Sequence, residues 1–247
     1  MEKSIKLLIE RFEEIRNKGW IKTKFNGPGS IGNNFEFLIG KDIDNFPIPD
    51  FNGIEIKTKQ NNIKQEYISL FTCIPYGKDF FEIQRLKNAY GYPDKEFKNY
   101  NVLNGDVFCK YKRKIGKNYY FNLEINKNSN KIKLLIFDNY YNLIDDYAYW
   151  DLKEIEDKIM QKLEYLAVVG ANKRVYQGKT YFKYTNLNIY KIKNFKTFLR
   201  LLSQAKIKIQ FRIGVFKKGP RFGQTHDRGT VFAIKTKYLN ELFEKIY

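Results

Sequence analysis

Two carboxylates and a lysine lie within eight residues of one another, in a peptide whose pattern predicts a tight β-hairpin. The peptide reads PIPDFNGIEIKTK. Asn-Gly between two apolar runs favours a two-residue type I′ turn, which needs positive φ at both central positions. A turn at Asn52 and Gly53 places Asp50 opposite Glu55. Because side chains alternate along a strand, Lys57 then shares the face of both acids.

This arrangement predicts a metal site for phosphodiester hydrolysis. Two ionised carboxylates about 5 Å apart repel by roughly 3 kcal/mol at an effective dielectric near 20, so they need a cation. Lys57 is one candidate, and a divalent metal is the better one. Asp50 and Glu55 supply the hard oxygen ligands that Mg²⁺ prefers, and Mn²⁺ or Ca²⁺ could replace it for binding. Bound Mg²⁺ would activate a water and offset charge on the phosphate, while Lys57 would orient that water or stabilise the transition state. The alternative is an exposed edge hairpin with a solvated charged face.

A third carboxylate, Glu36, lies in a short predicted helix just before the hairpin. A single helix carboxylate is usually a surface group. Phe35 and Phe37 on either side make full exposure less favourable, so Glu36 could support the metal ligands or bind a second metal.

The only histidine, His226, lies in the most basic loop of the chain. One histidine leaves little room for a serine or cysteine nucleophile with a histidine base. Histidine and arginine can instead read base edges in the major groove of DNA. The loop also contains the basic residues Lys217, Lys218, Arg221 and Arg228.

Composition favours a polyanion as partner. The 247 residues include 45 Lys and Arg against 27 Asp and Glu, a net charge of +18. Such a charge favours nucleic acid first and an acidic membrane surface second, although an AT-rich genome also raises the lysine content. With two cysteines, no apolar run of membrane-spanning length and no signal peptide, the sequence predicts a soluble cytoplasmic protein.

Periodicity predicts alternating helices and strands, which is typical of an α/β fold. Predicted helices cover residues 4–18, 33–39, 151–163 and 195–205. Residues 74–118 look dominated by loops. Predicted strands, besides the hairpin, cover residues 67–72, 119–125, 131–137, 165–169, 181–184, 206–215 and 230–235.

The runs GSIGNNFE (29–36) and PDFNGIEIKT (49–58) resemble the MutH-like branch of the PD-(D/E)XK nucleases, in particular its MvaI-like type II restriction endonucleases. The resemblance implies a restriction-endonuclease-like mixed sheet flanked by helices, with a second, smaller DNA-reading lobe. Residues 1–172 would form the catalytic lobe, with an insertion around 74–145, and residues 173–247 the recognition lobe. The likeness extends to residues 70–72, 163–169, 212–214 and 225–232.

The resemblance also implies an activity. The protein would be a Mg²⁺-dependent, monomeric endonuclease that cuts both strands of duplex DNA one after the other, at a short (pseudo)palindromic site similar to CC(A/T)GG, in a system with a cognate DNA methyltransferase. Asp50, Glu55 and Lys57 take the catalytic positions and Glu36 that of the helix carboxylate. The residues expected to bind DNA are Arg212, Lys217, Lys218, Arg221, His226, Asp227 and Arg228.

Two departures from the relatives concern the target site. Arg228 stands where they have a histidine, and Ala233 where they have an arginine. Arginine prefers guanine, so these changes could alter or relax the recognised sequence.

Three alternatives remain open from the sequence. One is a strand-nicking repair endonuclease of the MutH kind. Another is a sequence-specific DNA-binding protein with an inactive nuclease site. The third is an RNA-binding protein, which basic and aromatic content alone would suggest.

Overall fold

A computed structural model describes residues 1–41, 49–63 and 66–247 of the chain. Within these ranges no helix is long and apolar enough to span a membrane. The same ranges contain six α-helices: α1 Glu2–Asn17, α2 Ser30–Leu38, α3 Glu82–Tyr90, α4 Leu152–Leu163, α5 Phe195–Ser203 and α6 Leu239–Leu242.

Sixteen strands lie in the same described ranges. The first eight are β1 Ile21–Lys22, β2 Ile54–Gln60, β3 Tyr67–Thr72, β4 Tyr92–Pro93, β5 Asn101–Val107, β6 Arg113–Ile115, β7 Tyr119–Asn126 and β8 Lys131–Phe137. The others are β9 Leu143–Asp145, β10 Tyr149–Asp151, β11 Tyr165–Tyr176, β12 Lys179–Ile192, β13 Ile207–Val215, β14 Thr225–Asp227, β15 Val231–Lys235 and β16 Phe243–Lys245.

The chain forms two compact units, each assembled from separate segments. The first unit comprises Met1–Glu66, Lys158–Lys193 and Leu239–Tyr247, and the second comprises Tyr67–Asp157 and Asn194–Tyr238. These limits do not coincide with the boundary at 172/173 expected from the sequence. Because β11 and β12 pair along their whole length, a division after residue 172 would cut a single hairpin.

The first unit contains one mixed sheet, in the order β1-β12-β11-β2 with β16 beside β12. β2 runs parallel to β11, with Glu55 opposite Leu166. The remaining pairs are antiparallel. Residues 166–171 of β11 are buried on both faces, as expected for an interior strand.

Helices α1 and α2 cover one face of this sheet. Their apolar side chains form a core with Ile54 and Ile56 of β2 and with alternate residues of β11 and β12. Because side chains alternate, Glu55 and Lys57 point to the opposite face. The core residues from α1, α2 and the residue that follows α2 are Leu8, Phe12, Ile15, Phe35 and Ile39.

The second unit contains two sheets. One has the order β3-β15-β13-β5-β4 with β14 beside β13, and the other β10-β8-β7-β6 with β9 beside β8. Aromatic side chains fill its core, where Phe71 stacks on Phe232 at 4.7 Å and the Trp150 indole donates to the Cys73 carbonyl at 2.9 Å.

Residues 74–118, predicted to be dominated by loops, have just under half of their residues in helices and strands. They contain α3, β4, β5 and β6. Polar contacts rather than an apolar stripe hold α3 in place, so periodicity does not reveal it. The Arg85 guanidinium pairs with Glu82 and with Asp145 at 2.5 Å, and the Tyr90 hydroxyl donates to Asp145 at 2.7 Å.

Candidate active site

The turn at Asn52 and Gly53 has the predicted type I′ character. Their φ angles are 45° and 87°. The flanking residues exchange both backbone hydrogen bonds, with Phe51 N to Ile54 O at 2.9 Å and Ile54 N to Phe51 O at 2.8 Å. Before the turn the pairing is a single bridge rather than a strand. The start of the predicted hairpin, residues 47–48, lies outside the described residues.

Asp50 is fixed by contacts to both of its carboxylate oxygens. Oδ2 accepts a hydrogen bond from the backbone N–H of Ile56 at 2.9 Å, which ties the acid to β2. Oδ1 accepts from Nζ of Lys41 at 2.6 Å. The acid that precedes the turn is therefore held against the strand that follows it.

Glu55 is buried, with only 1% of its side chain exposed. This excludes the solvated charged face that the sequence left open. Its Oε1 contacts Nζ of Lys57 and lies 3.6 Å from Nζ of Lys162 on α4. Its Oε2 is buried and has no hydrogen-bond partner in the described part of the chain.

Burial raises the pKa of Glu55, and the nearby charge of Asp50 raises it further. The positive charges of Lys57 and Lys162 act in the opposite direction. A carboxylate pair that raises a pKa in this way is typical of a functional site, because the fold opposes the ionised form that the chemistry requires.

The two acids fit a divalent metal. A buried carboxylate oxygen without a partner, next to a second carboxylate, is costly unless a cation binds it. No group of three His, Cys, Asp or Glu side chains that could hold a metal is present in the described residues. Mg²⁺ does not need one, since it commonly binds through one or two carboxylates and keeps water or phosphate oxygens as its other ligands.

Glu36 lies on α2 and approaches β2 from the α2 side. A β-carbon added to Gly32 would lie 3.8 Å from Oε1 of Glu36. The same β-carbon would lie 3.3 Å from Oγ1 of Thr58 on β2. A side chain larger than glycine at position 32 would therefore crowd both groups. Glu36 does not join Asp50 and Glu55 in a three-acid group among the described residues.

Arg212, on β13 of the second unit, is held by the backbone of a loop. Its Nε donates to the carbonyl of Gly229 at 3.0 Å and its Nη2 to that of Arg228 at 2.7 Å. Asp227 accepts from the Gly229 N–H at 2.9 Å, and burial raises the pKa of its carboxyl. Gly229 has φ +94°, which favours glycine. These contacts fix the loop around Arg212.

His226 stacks on Phe216, with ring centroids 4.1 Å apart and planes 10° apart. The Arg221 guanidinium lies 4.0 Å from the centroid of the same ring. Phe216 therefore positions two of the predicted DNA-binding residues, although nothing in the sequence indicated this role.

Two lysines predicted to bind DNA, Lys217 and Lys218, differ in their environment. Lys217 forms ion pairs with Asp94 at 3.2 Å and Glu96 at 2.8 Å, which raise its pKa. Lys218 is exposed. Asp94 and Glu96 lie more than 120 residues away in sequence, so the pairing of Lys217 was not predictable from local patterns.

Lys41 and Lys162 are site residues that sequence reasoning missed. Lys162 lies at the end of α4, three residues before β11, and the parallel pairing of β11 with β2 brings it to Glu55. A lysine just before an interior strand is too common to be a useful indication. Lys41 has no sequence indication at all.

The chain is similar to known proteins over nearly its whole length. Residues 9–243 match the MvaI/BcnI restriction endonuclease family. The solved structure of restriction endonuclease MvaI with cognate DNA is similar at 32% identity and a TM-score of 0.90, covering 99% of this chain and 98% of that one. MvaI without DNA gives 31% identity and a TM-score of 0.62, covering 99% and 97%. A search of the curated proteins gives no match.

These matches extend over nearly the whole chain, and they confirm the predicted restriction-endonuclease-like α/β fold. The chain belongs to the MvaI/BcnI restriction endonuclease family and is a type II restriction endonuclease, a site-specific deoxyribonuclease acting on duplex DNA.

Proposed function

We propose that Asp50 and Glu55 hold the catalytic metal of this endonuclease, and that this metal is Mg²⁺. The observation that carries the proposal is the buried Oε2 of Glu55, which lacks a hydrogen-bond partner in the described part of the chain while Asp50 lies close by. Mn²⁺ or Ca²⁺ could replace Mg²⁺ for binding.

The residues of the chain then have separate roles in hydrolysis. Glu55 must be ionised to bind the metal, and the ammonium groups of Lys57 and Lys162 favour that form. Lys57, whose side chain is partly exposed beside Glu55, would donate a hydrogen bond to the attacking water or to a phosphate oxygen. Bound Mg²⁺ would supply a water of lowered pKa and positive charge beside the phosphate. Glu36 would support this site from α2.

Recognition is assigned to the second unit. Arg212, His226, Asp227 and Arg228 would contact base edges in the major groove, because the loop fixes their positions. Lys218 and Arg221 would contact phosphates, and Lys217 could do so only after leaving its two acids. The target would be a short (pseudo)palindromic site similar to CC(A/T)GG.

A monomer would cut the two strands one after the other, and a cognate DNA methyltransferase would protect the host. Both statements carry over what the resemblance of the sequence to MvaI-like restriction endonucleases implies. Asp50 and Glu55, together at the turn, argue against a DNA-binding protein with an inactive site.

Cleavage of supercoiled plasmid with Mg²⁺ tests the proposal. Asp50→Ala should abolish cutting and keep DNA binding, because it removes a metal ligand and relieves repulsion with phosphate. Glu10→Ala, an exposed carboxylate on α1, is the matched control and should cut normally. Cutting by Asp50→Ala at the wild-type rate would refute the metal assignment. Nicked plasmid that never becomes linear would identify a strand-nicking enzyme instead, and sequencing the product ends gives the site.

A further inference from the structure

The hairpin formed by β11 and β12 extends beyond the strand that carries the catalytic residues. β2 pairs with β11 only as far as Gln60 opposite Ala171. Beyond that point β11 continues to Tyr176, paired with β12 alone in the described structure. A tight turn at Gln177 and Gly178, with φ of 48° and 69°, closes the hairpin. We call residues 172–183 the hairpin arm.

One face of the hairpin arm continues the catalytic face of the sheet. Ala167, Val169 and Ala171 point into the core beneath α1 and α2. By alternation Arg174 therefore points to the opposite face, which is the face of Glu55. Residues of β12 that pair directly with residues on this face of β11 point to the same side of the sheet. Residues of β1 that pair with those β12 residues point to that side as well.

This face presents four exposed cations: Lys22, Arg174, Lys179 and Lys183. We call them the basic strip. Lys22 lies opposite Tyr181, which itself lies opposite Arg174, while Lys179 and Lys183 lie opposite Tyr176 and Asn172.

No acidic residue in the described ranges neutralises the basic strip. None of its four cations forms a salt bridge with a described residue. The sequence contains no Asp or Glu between Glu164 and Asp227. Four unpaired cations that repel one another reduce stability, so their retention on one face indicates an anionic partner.

Arg174 is held in place by aromatic rings instead of by an acid. Its guanidinium lies 4.4 Å from the centroid of Trp20 and 5.3 Å from that of Tyr181. Stacking on an aromatic face fixes the plane of a guanidinium and leaves its N–H groups available for a phosphate.

We propose that the basic strip binds phosphates of the duplex outside the recognition site, independently of sequence. This proposal rests on the proposed function, because the sheet face that carries Glu55 and Lys57 must then contact the DNA. Glu55 lies opposite Leu166, and Arg174 follows Leu166 by eight residues. At a rise of about 3.3 Å per residue, the strip begins about 26 Å along the strand from Glu55. That length corresponds to about 8 base pairs of duplex.

Equilibrium binding in Ca²⁺, followed by fluorescence anisotropy at several salt concentrations, tests the proposal. The variant R174A/K179A/K183A is compared with wild type on two duplexes with the same site, one with about 5 and one with about 15 flanking base pairs on each side. On the long duplex, the slope of log affinity against log salt should become shallower by about 2.7, because each phosphate contact contributes about 0.9. On the short duplex the two slopes should agree.

The matched control removes three charges from the other side of the sheet. Lys6 lies on α1, Lys18 is the residue that caps the end of α1, and Lys173 points to the α1 side of the hairpin arm. K6A/K18A/K173A should keep the wild-type slope on the long duplex. Equal slopes for R174A/K179A/K183A and wild type on the long duplex would overturn the proposal. An equal reduction of the salt slope on both duplexes would also overturn the proposal, because the three charges would then act within the recognition site. An equal reduction in both triple variants would overturn it too, because the charges would then act only through the net charge of the protein.

The cleavage assay and the salt-dependence assay test the metal site and the basic strip separately. Cleavage by Asp50→Ala would reject the catalytic assignment whatever the salt slopes. Wild-type slopes for the strip variant would reject the strip while leaving that assignment intact.

Discussion

Replacing Glu55 by glutamine should stabilise the protein in the absence of metal. The substitution keeps the shape of the side chain but removes a buried charge whose Oε2 has no partner in the described structure. Leaving such an oxygen unpaired costs about 1–3 kcal/mol, whereas weakening the hydrogen bond from Lys57 loses about 1 kcal/mol. The raised pKa of Glu55 indicates that the first effect is larger.

The expected net gain at pH 8 is on the order of 1 kcal/mol, or about 2–4 °C in Tm for a chain of this length. The gain should depend on pH. A carboxyl whose folded-state pKa is raised loses stability as pH rises towards and through that pKa, and this loss is absent below the ordinary value of 4.5. The Tm advantage of Glu55→Gln should therefore grow as pH increases above 4.5.

Calorimetry in EDTA measures the stability of Glu55→Gln without metal, and calorimetry in Ca²⁺ measures how much the metal stabilises each protein. Ca²⁺ at about 100 times its Kd should stabilise the wild type by about 2.7 kcal/mol and Glu55→Gln much less. Glu10→Gln, an exposed carboxylate on α1, controls for net charge. A variant less stable than wild type in EDTA at pH 8, or one stabilised equally by Ca²⁺, would refute the reasoning.

Three other substitutions test the two sites. Lys57→Ala should lower the cleavage rate, and it should shift the acid limb of the remaining pH–rate profile to higher pH, because Lys57 lowers the pKa of Glu55. Arg228→Ala should lose about 1–3 kcal/mol of discrimination between cognate and non-cognate duplexes, measured from their affinities. Gly229→Ala should lower both Tm and discrimination, because its φ is +94° and a β-carbon would lie 2.8 Å from Thr72 Cγ2.

Each of these three substitutions has a control variant or an outcome that would contradict it. Lys59→Ala, next along the same strand face, should leave the acid limb in place, and an unshifted limb in Lys57→Ala would contradict the coupling. Equal affinity losses of Arg228→Ala on all sequences would reassign it to phosphate. Gly219→Ala, with positive φ but nothing within 4 Å, separates backbone strain from crowding. If it matches Gly229→Ala, crowding at Thr72 has no role.

The parts of the fold that local chemistry determines could be predicted. The turn at Asn52 and Gly53 follows from two residues that tolerate positive φ, and β3 and β8 have the predicted bounds because their apolar residues end at polar ones.

Features that depend on distant partners could not be predicted. The pairing of β3 with β15 joins segments about 160 residues apart, and the limits of the two units follow from such pairings. Three residues of α3 are buried, and only Leu86 among them is apolar, since the other two are Glu82 and Lys87. The helix therefore has no apolar stripe that the sequence could reveal. The ion pairs of Lys217 likewise required the folded chain.

The order of elements along the chain affects when the nuclease can become active. β2 has β11 as its strand partner in the described structure, and β11 begins more than 100 residues after Glu55. At about 5–20 residues per second, a ribosome needs roughly 5–20 s to make that interval. β16, which completes the sheet beside β12, is made later still. A nascent or prematurely terminated chain that lacks β11 leaves β2, which carries the proposed metal ligand Glu55, without this strand partner. We therefore expect incomplete translation products not to cut the host chromosome.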